Sequence, residues 1–421
     1  MKKAVVLAMA VFLLPTDGGA MGDGGDSLRR WGATVGISPG RLLVVDQYQD
    51  KWQKGKDNLS LDFNVSHITL PADSDDFAAD YNFPTIRAGV KWSFNHRVTM
   101  HRSPDPDWGL AEEVDYTSIM GNSVAVYGTF ARPFFRKRKW TAEYALSIGV
   151  GYSHDKYNSY NAVDNELIGS RWLLYFGAGV AFGYRVADNW GVKVGLDYWH
   201  LSNAALSRPN KGANFLGPYL GLTYFPYYKY VEGRKEHRNS KIYPKSLYAF
   251  FAFGVGAKTL NEEWLRTQFN TPKGEEDYRT GHFRLYLAYS LQADLMYRYH
   301  RKWASGVGFD LFYGSYASRV EELDQLQRAD CKHSPWSVGV ALRHHAYYHR
   351  LAMTMSLGYY LYREMGYNAN LIEKPYYEKI GMQYTLPCAS QLTVGFNVKA
   401  HLTKADFMEL VVALPLILTK K

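Results

Sequence analysis

In the stretch Tyr198-Trp199-His200-Leu201-Ser202-Asn203 a histidine and a serine stand two residues apart. Arg208-Pro209-Asn210-Lys211-Gly212-Ala213-Asn214-Phe215 follows at once. A serine hydroxyl is a poor nucleophile at neutral pH. It needs a neighbouring base, for which imidazole is suited, and the imidazole needs a third group to hold its ring. Ser202, His200 and Asn214 have the side chains for those three roles. The amides of Asn203 and Asn210 are available to a developing oxyanion. A belt of polar side chains just past an apolar surface has the same composition, so residue types alone leave both readings open.

The element that must position these residues is a β-strand, on which residues two apart share a face. Trp190, Val192, Val194, Leu196 and Tyr198 have the parity of His200 and Ser202, whereas Lys193, Gly195 and Asp197 have the opposite parity. After the loop, Asn214 has the parity of Leu216, Leu220 and Leu222. Three polar side chains thus meet at the end of an apolar face. Unpaired polar groups in hydrocarbon cost several kcal/mol each, so the three are expected to bond one another.

The alternation recurs along the chain. From Trp140 to Tyr152 every second residue is apolar, and the interleaved positions read Thr141, Glu143, Ala145, Ser147, Gly149 and Gly151. A greasy outside over a small, polar inside marks a transmembrane barrel, the reverse of a soluble one. Similar runs lie at Ile86 to Phe94, Trp172 to Tyr184, Trp190 to Ser202, Leu247 to Val255, Trp303 to Tyr313, Trp336 to Ala346 and Leu392 to Ala400. The expectation is an all-β, antiparallel transmembrane barrel of roughly 16 strands, with 12 or 14 also compatible. A single large barrel is expected over two eight-stranded units, because periodicity reveals no closing strands. The charged segment Glu232 to Lys245 then becomes a turn after the eighth strand or, on the other reading, a linker. It separates a first set of strands, residues 30–227, from a second, residues 246–421. Short links at Arg136 to Lys139, Ala187-Asp188, Arg301, His349 and Pro387 to Ala389 face the periplasm. Long polar ones, at His96 to Ser118, His154 to Ser170, Lys258 to Gly281 and Ser315 to Ser334, face outward.

Composition agrees. The 421 residues include 34 Tyr, 11 Trp and 37 Gly, an aromatic load suited to girdles at two lipid–water interfaces. Lys2 and Lys3, the apolar run Ala4 to Leu14, and Gly18-Gly19-Ala20 read as a signal peptide over residues 1–20, leaving 21–421 as an outer-membrane barrel. No later run of about 18 uncharged apolar residues forms a transmembrane helix. The net charge of +9 suits soluble loops or attraction to anionic lipid phosphates, and nucleic acid is not an expected partner of an exported chain. Cys331 and Cys388 fall at opposite membrane faces and are not expected to pair. His344 and His345 point to opposite faces, so with His349 they read as an interface belt, not a metal site. Asp197 and Glu143 point inward. No cofactor or metal is expected.

The motif resembles a known family. His200-Leu201-Ser202-Asn203, then Pro209-Asn210-Lys211-Gly212-Ala213-Asn214, then Gly217 and Gly221, are similar to the HxSN and PNxGxN signature of the lipid A 3-O-deacylase (PagL-like, acyloxyacyl hydrolase) family. Ile168-Gly169-Ser170 adds to the match, which covers roughly Arg136 to Phe225. The C-terminal half resembles longer members only loosely, through His401 and Ala405 to Glu409. The resemblance implies an outer-membrane esterase acting on lipid A of lipopolysaccharide, with Ser202 as nucleophile, His200 as base, and Asn203 and Asn210 at the oxyanion site. The small deacylases have glutamate at the third position, where this chain has Asn214. That departure is similar instead to outer-membrane phospholipase A, with its His, Ser and Asn triad, which stands as the alternative. A passive channel or structural barrel is the third reading. His401 falls on an inward face, so the second half is not expected to carry an equivalent site.

Overall fold

The computed structural model describes residues 30–69, 75–105, 113–137, 139–226, 243–326, 330–388, 390–402 and 404–420. The expected signal peptide and most of the Glu232 to Lys245 segment lie outside them. The chain divides into two compact units, each built on a closed eight-stranded antiparallel barrel.

The first barrel consists of β1 (Trp31–Leu42), β2 (Asp57–Ile68), β3 (Thr85–Phe94), β6 (Ser123–Lys137), β7 (Trp140–Ser153), β8 (Trp172–Arg185), β9 (Trp190–Ser202) and β10 (Ala213–Tyr224). Two two-residue strands, β4 (Thr99–Met100) and β5 (Ser118–Ile119), pair with each other in the β3–β6 loop. A short helix, α1 (Gln47–Trp52), caps the β1–β2 loop, and α2 (Asp76–Asp80) lies in the β2–β3 connection. Strand β1 closes the sheet on β10, in register from Ala33 opposite Tyr224 to Leu42 opposite Phe215.

The second barrel consists of β11 (Ser246–Lys258), β12 (Tyr286–Arg298), β13 (Trp303–Gly314), β14 (His333–Tyr348), β15 (Leu351–Met365), β16 (Tyr376–Thr385), β17 (Thr393–His401) and β18 (Lys404–Lys420). Its long loops carry α3 (Asn261–Leu265) and α4 (Ala317–Leu326). Strand β11 closes on β18, from Ser246 opposite Lys420 to Ala257 opposite Met408. The sixteen barrel strands therefore form two rings, and the single large barrel expected from the sequence is corrected. Alternation reports which face of a strand meets lipid and is silent on which distant strand pairs with its edge. The pairings β1 with β10 and β11 with β18 are the information it lacks.

The outer walls are apolar. Val35, Val194, Leu196 and Leu220 on the first barrel and Val307 and Phe309 on the second are all more than half exposed, the greasy outer wall that each barrel of this kind turns to hydrocarbon. Aromatic pairs mark both ends of the first barrel. Trp140 with Tyr184 and Trp190 with Tyr224 lie at the short-turn end, at 4.5 and 5.0 Å between centroids, and Tyr152 with Trp172 lies at the long-loop end at 5.3 Å. The second barrel repeats this with Tyr313 and Trp336, 4.8 Å apart, at its long-loop end.

The interiors are filled by paired charges. In the first barrel Lys91 meets Asp197 at 2.5 Å, Lys193 meets Glu143 at 2.7 Å, and Arg87 also bonds Glu143. Asp197 and Glu143 point inward, as their parity requires. In the second, Arg343 bridges Asp294 at 3.0 Å and Asp310 at 2.8 Å, while Lys379 meets Glu409 at 2.8 Å. An eight-stranded ring has room for side chains and little else. Cys331, in the β13–β14 loop, and Cys388, in the β16–β17 turn, are both free.

Candidate active site

Strand β9 delivers His200 and Ser202 to the outer face at its long-loop end, continuing the exposed row of Val194 and Leu196. The interleaved Trp199 and Leu201 point into the lumen and are fully buried. Trp199 stacks on Phe215 at 5.3 Å between centroids and lies under the Lys91 ammonium at 4.4 Å. The rung of β9 that bears the polar residues is thus pinned from inside by two large aromatic rings, which fixes the backbone without touching the outer face.

On the neighbouring strand, Asn214 lies directly opposite His200. Asn214 Oδ1 is 2.8 Å from His200 Nδ1 and accepts a second hydrogen bond, also 2.8 Å, from the Tyr198 hydroxyl. A carbonyl oxygen can only accept, so Nδ1 carries the ring proton and Nε2 keeps the free lone pair. Ser202, opposite Leu174 of β8, is 8% exposed. Among the described residues it makes no hydrogen bond to His200; the two share one face of β9 at positions i and i+2.

The loop after Ser202 is strained. Ala204 and Ala205 have φ of 49° and 69°, in the left-handed region that residues with a Cβ avoid. At its far end Gly212 has φ of 76°, and a Cβ there would lie 2.7 Å from His200 Cε1 and 3.4 Å from Ser202 Cβ. Only glycine both adopts that backbone and leaves room for the imidazole. Between these points the Asn203 backbone N–H donates to Asn210 Oδ1 at 2.9 Å, closing the loop on itself. That bond occupies the Asn203 N–H.

The β7–β8 loop braces this turn from below. Lys211 N–H donates to the Glu166 carbonyl and Gly212 N–H to the Leu167 carbonyl, both at 3.1 Å. Residues 164–168 are almost wholly buried. Arg102 holds them, reaching Asp164 at 2.5 Å and Glu166 at 3.6 Å, and the Tyr48 hydroxyl donates to Glu166 at 2.5 Å. Burial alone would favour a neutral Arg102, yet the Glu166 and Asp164 carboxylates hold its guanidinium above the ordinary value. Burial pushes the Glu166 carboxyl above its usual range against the pull of Arg102. Lys211 extends the brace to Asp46 at 2.5 Å.

These bracing residues come from three loops far apart in sequence, and sequence reasoning missed them. The one available signal was the buried-looking Leu167-Ile168 inside a polar loop. The structure brings His200 and Asn214 together, and Asn203 and Asn210 together. His401 sits elsewhere, buried in the second barrel against the Tyr360 hydroxyl at 2.9 Å. His345 is buried against Phe250 while His344 stacks on Trp303, so the two histidines do face apart. Among the described residues no group of acidic, histidine and cysteine side chains is arranged to hold a metal.

Comparison with known proteins follows the same division of the chain. Residues 85–223 match the family model described as lipid A 3-O-deacylase (PagL), and residues 246–415 match that of the acyloxyacyl hydrolase C-terminal domain. No curated protein matches. Among solved structures, the outer membrane enzyme PagL is similar at 13% identity, over 45% of this chain and 97% of its own, with a TM-score of 0.26. A mutant of the Rhodopseudomonas blastica porin is similar at 9% identity over 91% and 99%, with a TM-score of 0.16. A deletion mutant of TodX, a monoaromatic hydrocarbon channel, is similar at 8% identity over 92% and 89%, with a TM-score of 0.17. The two family matches together span most of the chain, which belongs to the PagL-like lipid A 3-O-deacylase and acyloxyacyl hydrolase family of β-barrel ester hydrolases.

Proposed function

We propose that this protein removes the 3-O-linked acyl chain from lipid A in the outer membrane, using Ser202, His200 and Asn214 at the rim of the first barrel. Ser202 Oγ attacks the ester carbonyl carbon while His200 Nε2 takes its proton. The oxyanion that forms is met by the side-chain amides of Asn203 and Asn210. Collapse expels the sugar 3-hydroxyl, which receives the proton from His200, and water then releases the acyl chain from Ser202 by the same steps in reverse. The acyl chains of a lipid lying against the barrel run along the exposed Val194 and Leu196, so the ester is presented at the rim without leaving the bilayer.

The observation that carries this reading is the 2.8 Å contact between Asn214 Oδ1 and His200 Nδ1, which selects the tautomer a serine esterase needs. The same Asn favours the second reading, a phospholipase A-type hydrolase. Mass spectrometry of lipids from cells with and without the chain separates the two. Loss of one hydroxyacyl chain from lipid A supports the deacylase, and lysophospholipid with unchanged lipid A supports the phospholipase.

A further inference from the structure

Among the described residues the second barrel has no counterpart of the Ser202 site, but its long loops line an open cavity of about 670 Å³ between the β11–β12 loop and the start of α4. Its walls are a lattice of paired charges. Arg266 meets Asp277 at 2.5 Å, and Arg319 meets Glu263 at 3.0 Å and Glu322 at 2.7 Å. Glu263 also accepts from the Tyr286 hydroxyl at 2.8 Å. Arg284 differs from these. Its guanidinium lies over the Tyr286 ring at 5.3 Å, and among the described residues no carboxylate pairs with it.

Three features of this cavity select a ligand. Its volume is that of a small-molecule site, far beyond one ion. Carboxylates and guanidinium groups paired around the buried Glu263 and along the cavity rim offer acceptors and donors in alternation, the pattern that vicinal hydroxyls satisfy. Arg284, exposed at the cavity mouth over the Tyr286 ring, adds a planar cation that no carboxylate meets among the described residues, which suits a phosphate oxygen pair. The cavity lies at the long-loop end of the second barrel, the end that faces outward in barrels of this kind. The sugar chain that continues from lipid A emerges on that side of the membrane.

We propose that this cavity binds a phosphorylated saccharide, the sugar portion joined to lipid A, with Arg284 on the phosphate and the Arg319–Glu263 and Arg266–Asp277 pairs on the hydroxyls. The proposal rests on the lipid A reading for the identity of the saccharide and gives the second barrel a binding role of its own.

The test is calorimetric titration of the detergent-solubilised full chain with fully deacylated, water-soluble core oligosaccharide that retains its phosphates. Saturable binding is expected, at least tenfold weaker for the dephosphorylated oligosaccharide and at least tenfold weaker in Arg284→Ala. Arg284→Lys, which keeps the charge but loses the planar fork, falls between. Each variant must retain the heat-modifiable mobility of a folded barrel. Ser202→Ala is expected to bind as wild type, so a failure of the esterase reading leaves this result intact and is seen separately as retained deacylation. Absence of saturable binding overturns the proposal, as does unchanged affinity in Arg284→Ala. Inorganic phosphate binding as tightly as the oligosaccharide reduces the cavity to a simple phosphate site and overturns it too.

Discussion

At the scale of single residues the account turns on Asn214. An amide that accepts from His200 Nδ1 orients the ring but does not neutralise the imidazolium formed in the transition state. Asn214→Ala is therefore expected to lower kcat by about one to two orders of magnitude with little change in KM, since the substrate is held elsewhere. Asn214→Glu is expected to equal or exceed wild type, because a carboxylate there also meets the positive ring. Steady-state kinetics on purified lipid A reads both, and a fully active Asn214→Ala removes Asn214 from the site. Gly212 makes the second prediction. An Ala there meets His200 Cε1 at 2.7 Å on a backbone of positive φ. A displacement of the ring by about 1 Å costs on the order of 10²-fold in rate, and that loss of kcat is expected with the barrel still folded. Of the candidate site, the shared outer face of His200, Ser202 and Asn214 was legible from strand parity, and His200 and Asn214 meet because they stand opposite each other on β9 and β10, whereas Asn203 and Asn210 lie in the loop, where parity is silent. The role of Gly212 was not legible. Its signature position was visible, but the imidazole edge it clears exists only once the loop has turned.

At the scale of elements, two loops and a helix decide whether the β9–β10 turn keeps its shape. Arg102, 4% exposed, is the charge that holds Asp164 and Glu166 beneath it. Removing one partner from a buried ion network leaves the others without compensation, at a cost of about 3–5 kcal/mol. Arg102→Ala is expected to expose residues 154–171 to limited proteolysis and to lower activity. Lys51→Ala, which breaks the exposed pair with Asp105, is the control and should change stability by less than about 1 kcal/mol. Intact protease resistance in Arg102→Ala would show that the brace does not hold the turn. The strands themselves were legible. The runs read from alternation at Trp140 to Tyr152, Trp172 to Tyr184 and Trp190 to Ser202 agree with β7, β8 and β9 within a residue at each end. Loop packing was not, because Arg102, Tyr48 and Glu166 lie in segments without periodicity, and their partners are set by three-dimensional neighbours alone.

At the scale of the whole molecule, closure is what the sequence withheld. Sixteen strands with lipid-facing alternation fit one ring or two, and only the pairings β1 with β10 and β11 with β18 decide for two. The decision has a functional consequence. Each eight-stranded lumen is crossed by buried ion pairs, Lys91 with Asp197 in one and Arg343 with Asp294 and Asp310 in the other. Planar-bilayer recordings of the full chain are expected to show no discrete conductance steps, whereas a single sixteen-stranded ring would leave an aqueous pore. Regular channel openings would argue against two closed barrels. The central claim is that a serine on the outer wall of the first barrel does the chemistry, and one measurement addresses it most directly. Release of hydroxy fatty acid from lipid A is followed with purified wild type, Ser202→Ala and His200→Ala in vesicles, each shown to be heat-modifiable and membrane-inserted. The account predicts release by wild type and none above background by either variant. Undiminished release by Ser202→Ala would contradict it.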